Sequence, residues 1–454
     1  MRRFRARFVD AVGGTLGEVI PAKRLLQWVA EEAIGYRERI YGPLRTLTLF
    51  IEQVLSADQS CQDTVARGVS ARVGLGQAAC SLNSGPYCKA RARLPLGLVA
   101  RLGREVGARL CTGQRYSWRW RGREVKLVDG TTVSMPDTGA NQARFPQHPE
   151  QRTGLGFPLA RVVGIVSLSC GAILEWAMGA CEGKGTGETA LLWKLAPALR
   201  SGDVVVADRY YAGYFMIARL LQLGVDVVIR QHQLRHTDFR CGLRLGARDH
   251  LVSWARPQRP AWMDEQTYRT MPETLCLREA RVGGWTLVTS LTDARQVSKQ
   301  ELLALYRSRW QVELDLRSIK TVMQMDVLRC KSPPMVEKEI AAHLLAYNLV
   351  RSVMAKAANL AGISPRQLSF KGALQLLRAF EQNLRHSPCA RLLICQAHLL
   401  AGIAQMKLTY RPWRVEPRAV KRRPKTYKWL TEPRSIVRAR LLEQQQRYSA
   451  AFLR

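Results

Sequence analysis

Acidic residues are scarce in this chain: 36 Asp and Glu stand against 70 Lys and Arg, a formal net charge of +34 over 454 residues. With 47% hydrophobic residues the chain is rich enough to fold, so the imbalance is not that of a disordered basic tail. Also missing is any C-x2-C pair among the eleven cysteines, which are odd in number and scattered, and no histidines stand at metal-ligand spacing. That excludes a zinc module and a disulfide framework, and predicts reduced thiols. No uncharged apolar run reaches the roughly 20 residues of a spanning helix. The nearest, Val162 to Ala180, is broken by Glu175 and by Cys170-Gly171, and reads as two strands and a turn. The start, Met1-Arg-Arg-Phe-Arg-Ala-Arg, is basic but no apolar core follows it, so no secretory leader is expected. There is no internal repeat. Gly183-Lys184-Gly-Thr-Gly187-Glu188 lacks the spacing of a phosphate-binding loop and reads as a flexible turn that opens a helix, with Lys184 or Glu188 facing DNA as the other reading.

A surplus of cations this large predicts strong, sequence-independent, salt-sensitive attraction to a polyanion. A membrane surface is the rival to nucleic acid, but no amphipathic anchor helix or lipidation signal stands out, so the expected partner is nucleic acid and no membrane.

Residues 1–118 carry apolar residues at helical spacing through Leu25 to Ala33, Leu44 to Leu55 and Leu96 to Leu110. Between the last two, Pro86 suits a helix start and is followed by Lys89, Arg91 and Arg93, so a helical DNA-binding region is expected, with a plainly solvated helix face as the alternative. From Glu124 the period changes to two. Val125 to Asp129 reads as a strand closed by an Asp-Gly-Thr-Thr turn; Arg161 to Ser169 and Ala172 to Met178 read as a hairpin, and Glu188 to Leu199 as a helix. Asp203-Val-Val-Val-Ala-Asp208 has the continuous apolar run of a buried central strand, followed by a helix and another buried strand, Val225 to Ile229. Residues 231–283 look like a β-rich insertion. After it comes the strand from Trp285, residues 331–405 return to helical spacing, and 406–454 form a basic arm whose prolines forbid one continuous helix.

The densest signal is Tyr306-Arg-Ser-Arg309-Trp-Gln-Val-Glu313, continued to Lys320, which has the spacing Y-x2-R-x3-E-x6-K. On one helix, at roughly 100° per residue, those four side chains share a face. An acid placed among cationic and phenolic groups suits a divalent cation beside a phosphodiester. Hard cations take carboxylate oxygens, so further acids must come from other elements. Asp129 and Asp208 are the candidates, each at the end of an apolar strand. A hairpin turn at Asp129 and a helix cap at Asp208 are the plain alternatives.

Asp129 in a D-G-T context, Asp208 in a D-R-aromatic context, a β-rich insertion and the Y-R-E-K segment together resemble the DDE transposases of the IS-four type over roughly residues 30 to 360. Tyr210 departs from the glycine that many relatives carry after Asp-Arg. The resemblance implies an α/β, ribonuclease-H-like catalytic domain at 119–330 between helical flanks. It implies Asp129, Asp208 and Glu313 as catalytic metal ligands for Mg2+, with Mn2+ as the alternative ion. DNA contacts are expected from Tyr306, Arg309, Lys320 and Arg209, from Lys89, Arg91 and Arg93, and from Lys421, Arg422, Arg423 and Lys425 in the arm. Trp285 is either a base-stacking residue or a core tryptophan. The implied activity is cleavage at terminal inverted repeats of an insertion sequence and transfer of the 3′ ends to target DNA. The implied assembly is a homodimer synapsing double-stranded transposon ends and target, in the prokaryotic cytoplasm at the nucleoid. A decayed or domesticated relative acting as a DNA-binding regulator is the alternative, and a stand-alone metal nuclease the third.

Overall fold

The computed structural model describes residues 19–32, 39–386, 388–408 and 428–452. Among the described residues five helices come first: α1 (Ala22–Glu32), α2 (Pro43–Leu55), α3 (Cys61–Gly74), α4 (Gly85–Arg93) and α5 (Leu96–Thr112). Proline in the first turn of α2 and α4 presets φ where no backbone donor is needed, and Ser60 caps α3 by accepting from the Asp63 amide.

The alternating segment then forms β1 (Val125–Ser134), the short α6 (Gly139–Arg144), β2 (Leu159–Ser167), β3 (Ile173–Ala180), α7 (Glu188–Leu195), β4 (Val204–Ala207), α8 (Tyr214–Gln222) and β5 (Asp226–Arg230). All four residues of β4 are buried, as a Val-Val-Val-Ala strand at the centre of a two-sided sheet must be. β1 is parallel to β4 and β4 to β5, whereas β2 pairs antiparallel with β1 and β3 antiparallel with β2. The order β3-β2-β1-β4-β5 is that of a ribonuclease-H-like core, and helices follow β3 and β4 as expected.

The insertion does not stand apart from this sheet. It supplies β6 (Leu243–Gly246), β7 (Asp249–Ala255), α9 (Glu265–Thr270) and β8 (Thr274–Val282), and β9 (Trp285–Thr289) returns to pair antiparallel with β5. β8, β7 and β6 then extend the same sheet outward to nine strands. The hydrogen-bonding edge that β9 would have left open is thereby satisfied.

One strand ends elsewhere than its sequence indicates. Asp-Gly-Thr-Thr does not close β1 in a turn: β1 runs on to Ser134, paired with β2 through Asp129↔Gly164 and Ser134↔Leu159. The long antiparallel ladder outweighs the local turn preference of Asp-Gly.

Helices α10 (Lys299–Arg307), α11 (Trp310–Arg317) and α12 (Pro333–Ala361) follow, then α13 (Phe370–His386), α14 (Cys389–Gln405) and α15 (Arg434–Phe452). α10 opens on a full capping box between Ser298 and Glu301, and α12 ends on Gly362 at φ 68°, a left-handed stop that glycine adopts without strain. The basic end of the chain is not extended throughout. After Pro433 the backbone turns into α15, with the Pro433 carbonyl accepting from Ile436 and Val437.

Two apolar layers enclose the sheet. On one face, Val125, Leu127, Val204 and Val206 meet α2, α5 and the helices from α10 to α14; on the other, Val128, Val205 and Ala207 meet α7 and α8. N-terminal and C-terminal helices therefore share one layer, with α5 lying along α12. Among the described residues no helix is long and apolar enough to cross a membrane. Cys111 and Cys170 approach within 3.6 Å as free thiols.

Candidate active site

Parallel pairing brings the first two acids together. Val128 is opposite Ala207, so the next residues, Asp129 and Asp208, leave adjacent strands at the same end, where strands about 4.8 Å apart place them side by side. This carboxyl edge of the parallel strands is where open α/β sheets bind ligands. Asp208 also serves as a cap: its Oδ1 accepts the Tyr210 amide at 3.3 Å and opens the short turn Arg209–Tyr211. The cap uses one carboxylate oxygen.

α11 packs on β1 and brings the third acid. Arg309 joins them: its Nη1 donates to Asp129 Oδ2 at 3.4 Å and its Nη2 to Glu313 Oε1 at 2.5 Å. Burial pushes the Asp129 carboxyl up to about 6; the Gly130 amide and Arg309 oppose the rise, and the charges of Glu188 and Glu313 add to it.

The Y-R-E-K residues do not lie on one uninterrupted α-helix. Backbone bonds Arg309→Tyr306, Gln311→Ser308 and Val312→Arg309 tighten the chain to i→i−3 between α10 and α11, and Ser318–Val322 opens into a π-helical turn. A straight stripe is thereby lost, because each departure changes the rotation per residue. Tyr306 turns inward, only 6% exposed, while Lys320 sits half-buried in the π turn. Behind the acids, Asp315 is fully buried and faces away from Glu313: it accepts from Tyr347 Oη at 3.0 Å, from Arg366 Nη1 at 2.7 Å and from Arg351. This clamp ties α11 to α12 and to the loop before α13.

Trp285 begins β9 at the same edge. It is half-buried and stands edge-on to Tyr306, ring centroids 5.4 Å apart at 73°. The neighbouring charges of Asp208 and Arg230 both act on the Tyr306 hydroxyl, whose ionisation burial pushes upward. Arg209 donates to Gln233 at 3.3 Å at the periphery.

Other expected DNA contacts fall differently. Lys89 and Arg93 are exposed, but Arg91 is not on the surface of α4: it is 8% exposed, donates to Gln53 Oε1 at 2.9 Å and lies over the Phe50 ring at 4.8 Å. Helical rotation turns it away from its two neighbours into the interior. Lys421, Arg422, Arg423 and Lys425 lie outside the described residues.

Of two further residues at this edge, Arg230, which ends β5, carries no signal in the sequence, and Glu188 carries only the alternative reading of a helix-opening turn that faces DNA. Glu188 opens α7 and lies beside Gly130, with Oε2 accepting from Tyr211 Oη at 3.2 Å. A first-turn acid is so common a helix feature that only its position on a Gly-rich turn could have singled it out.

All the acids here offer oxygen, the donor that Mg2+ and Mn2+ prefer. Among the described residues no three His, Cys, Asp or Glu side chains are gathered closely enough to hold an ion by themselves. Between Asp129 and Glu313 the Arg309 guanidinium supplies the positive charge that neutralises the acid pair.

The family model described as Transposase DDE domain matches residues 120–349, a span that contains Asp129, Asp208 and Glu313. Transposase InsG for insertion sequence element IS4, from Escherichia coli strain K12, is 30% identical over 355 residues, covering 74% of this chain and 77% of that protein. A transposase for insertion sequence element IS421 of Escherichia coli is 35% identical over 68 residues, 15% of this chain and 18% of that one. Among solved structures, a chain of the piggyBac transposase synaptic complex with hairpin DNA aligns with a TM-score of 0.44 at 10% identity, over 89% of this chain and 86% of that chain.

Proposed function

The chain belongs to the DDE transposases of the IS4 type, and we propose that it binds the terminal inverted repeats of an insertion sequence, cleaves the ends and joins the freed 3′ hydroxyls to target DNA. The observation that carries this reading is that Asp129 and Asp208 stand side by side at the ends of paired β1 and β4 residues while Arg309 bridges Asp129 to Glu313 on α11.

Asp129, Asp208 and Glu313 would hold divalent ions. When bound, such ions supply charge neutralisation at phosphorus and acidify an attacking water. The protein's own groups do the rest. Arg309 is bidentate between two acids, and the same planar fork fits a phosphate; delivery of DNA and cations together would let it exchange carboxylates for phosphate oxygens. Tyr306, buried and neutral, orients by hydrogen bonding without adding charge. Lys320 offers a point charge further along the strand, and Trp285 a ring face for an unpaired base, with stacking worth about 1 to 3 kcal/mol. The exposed Lys89 and Arg93 extend the cationic surface along the duplex. A homodimer would hold both transposon ends in one synapse.

Cleavage of terminal DNA by purified protein in Mg2+ tests the reading. Asp129→Ala, Asp208→Ala and Glu313→Ala are each expected to abolish cleavage while binding to the same DNA stays nearly intact, since the cationic surface is untouched. Full cleavage by any one of them would sink the assignment of that acid.

A further inference from the structure

β1 overruns β4. β4 ends at Ala207 opposite Val128, whereas β1 continues to Ser134 with only β2 beside it. Successive side chains of a strand point to opposite faces. Asp129 therefore faces α11, and Gly130 faces α7. Past Ala207, however, no strand separates the two faces on that side, so a side chain from the α7 face can come over the end of β4 toward Asp129.

Glu188 takes that path. Its carboxylate lies so close over residue 130 that a Cβ there would be 2.6 Å from Oε1 and would have to displace the Glu188 side chain. Its other oxygen is held by Tyr211, a fully buried residue of the turn that Asp208 caps. Burial pushes the ionisation of the Tyr211 hydroxyl upward, and the charges of Glu188, Asp129 and Asp208 all add to the rise. A favourable helix-end position accounts for an acid in the first turn of α7, but such an acid gains as much pointing into water. Turning it onto Gly130, beside a carboxylate it repels, is unfavourable unless a cation is shared.

We propose that Glu188 is a fourth carboxylate of the catalytic site, reaching the divalent ion beside Asp129 and Asp208 from the face of the sheet opposite Glu313. The proposal rests on the transposase reading of that edge. Glu188 either ligates the ion directly or through one water; both make its charge part of the ion's binding free energy.

Mn2+ uptake by the full-length chain without DNA, followed by calorimetry, separates the possibilities. Glu188→Gln keeps the size and an acceptor for Tyr211 and removes only the charge. It is expected to weaken Mn2+ binding by about tenfold or more, with a melting temperature in chelator no lower than wild type. Unchanged Mn2+ affinity in Glu188→Gln, with affinity lost in Asp129→Asn, overturns the fourth carboxylate and leaves the triad standing. Unchanged affinity in both variants, or no uptake by the wild type, overturns the triad reading as well. Should Glu188→Gln fail to fold, Glu188→Asp, a carboxylate one methylene short, decides by the same measure: weakened uptake supports the proposal and wild-type uptake overturns it.

Discussion

Asp129 holds its proton in the folded chain up to about pH 6, because burial and its acidic neighbours outweigh Arg309. In the unfolded chain the same carboxyl titrates near 3.9. The folded state therefore binds the extra proton between those values. Stability is greatest below the unfolded value, falls as pH rises through about 6, and above that carries the whole penalty, on the order of 2 to 3 kcal/mol. In chelator, Asp129→Asn is thus expected to melt above wild type at pH 8, with the gap closing near pH 4. Mn2+ should raise the wild-type melting temperature at pH 8 and leave the variant nearly unmoved. Equal melting of the two proteins in chelator at pH 8 would contradict this account of the site. Trp285 is set differently. Half-buried and edge-on to Tyr306, it has one flank in the core and one at the edge of the site. Trp285→Ala is expected to lower stability by about 1 to 2 kcal/mol, less than the 3 to 5 of a fully buried ring, and to slow a step after the first nick. A loss in the upper range without DNA would make it a core residue only.

The segment from α10 to the π turn does its work through two changes of helical pitch and one buried anchor. Tightening at Ser308 and Arg309 sets the guanidinium against Glu313, and Asp315, two residues further on, points to the opposite side. There Asp315 meets Arg351, Arg366 and Tyr347, while Arg366 also donates to the carbonyls of Ser167 and Leu168 at the β2–β3 turn. One carboxylate thus fastens the signature segment to α12 and to the sheet. Asp315→Ala leaves the buried Arg351 and the part-buried Arg366 guanidinium without their anion, and a loss of about 3 to 5 kcal/mol is expected on denaturant unfolding. A substitution that lowers stability by less than about 1 kcal/mol would mean that the clamp carries little of the weight.

Across the molecule, a net charge of +34 makes DNA binding mostly an exchange of counterions. Lys421, Arg422, Arg423 and Lys425 concentrate four of those charges within five positions. Replacing all four with neutral residues is expected to weaken binding about equally across DNA sequences and to flatten the salt dependence by as much as about 3 to 4 in log–log slope, roughly 0.9 for each phosphate no longer neutralised. A slope equal to that of wild type would mean that the segment neutralises no phosphate. The same surplus explains why acids brought together at one edge are informative: elsewhere in the chain a carboxylate readily finds a cation, as Asp249 does with Arg278 and Glu301 with Arg121.

Much was legible from the amino-acid sequence because it is written locally. The switch from helical to strand period, the Val-Val-Val-Ala strand, the β-rich insertion and the Y-R-E-K spacing each occupy one short window, and local periodicity reports which faces are apolar. Long-range packing decided the rest. Whether Asp-Gly at 129 turns or continues depends on β2, some thirty positions away, and the ladder prevailed. Arg91 faces inward because Gln53 and Phe50 wait there, which no spacing around residue 91 reveals. The insertion became more of the same sheet because β9 offered an open edge to pair with. Glu188 can lie over Gly130 only because β4 stops where β1 does not, and the relative lengths of two neighbouring parallel strands are set by their mutual hydrogen bonds, not by either sequence alone.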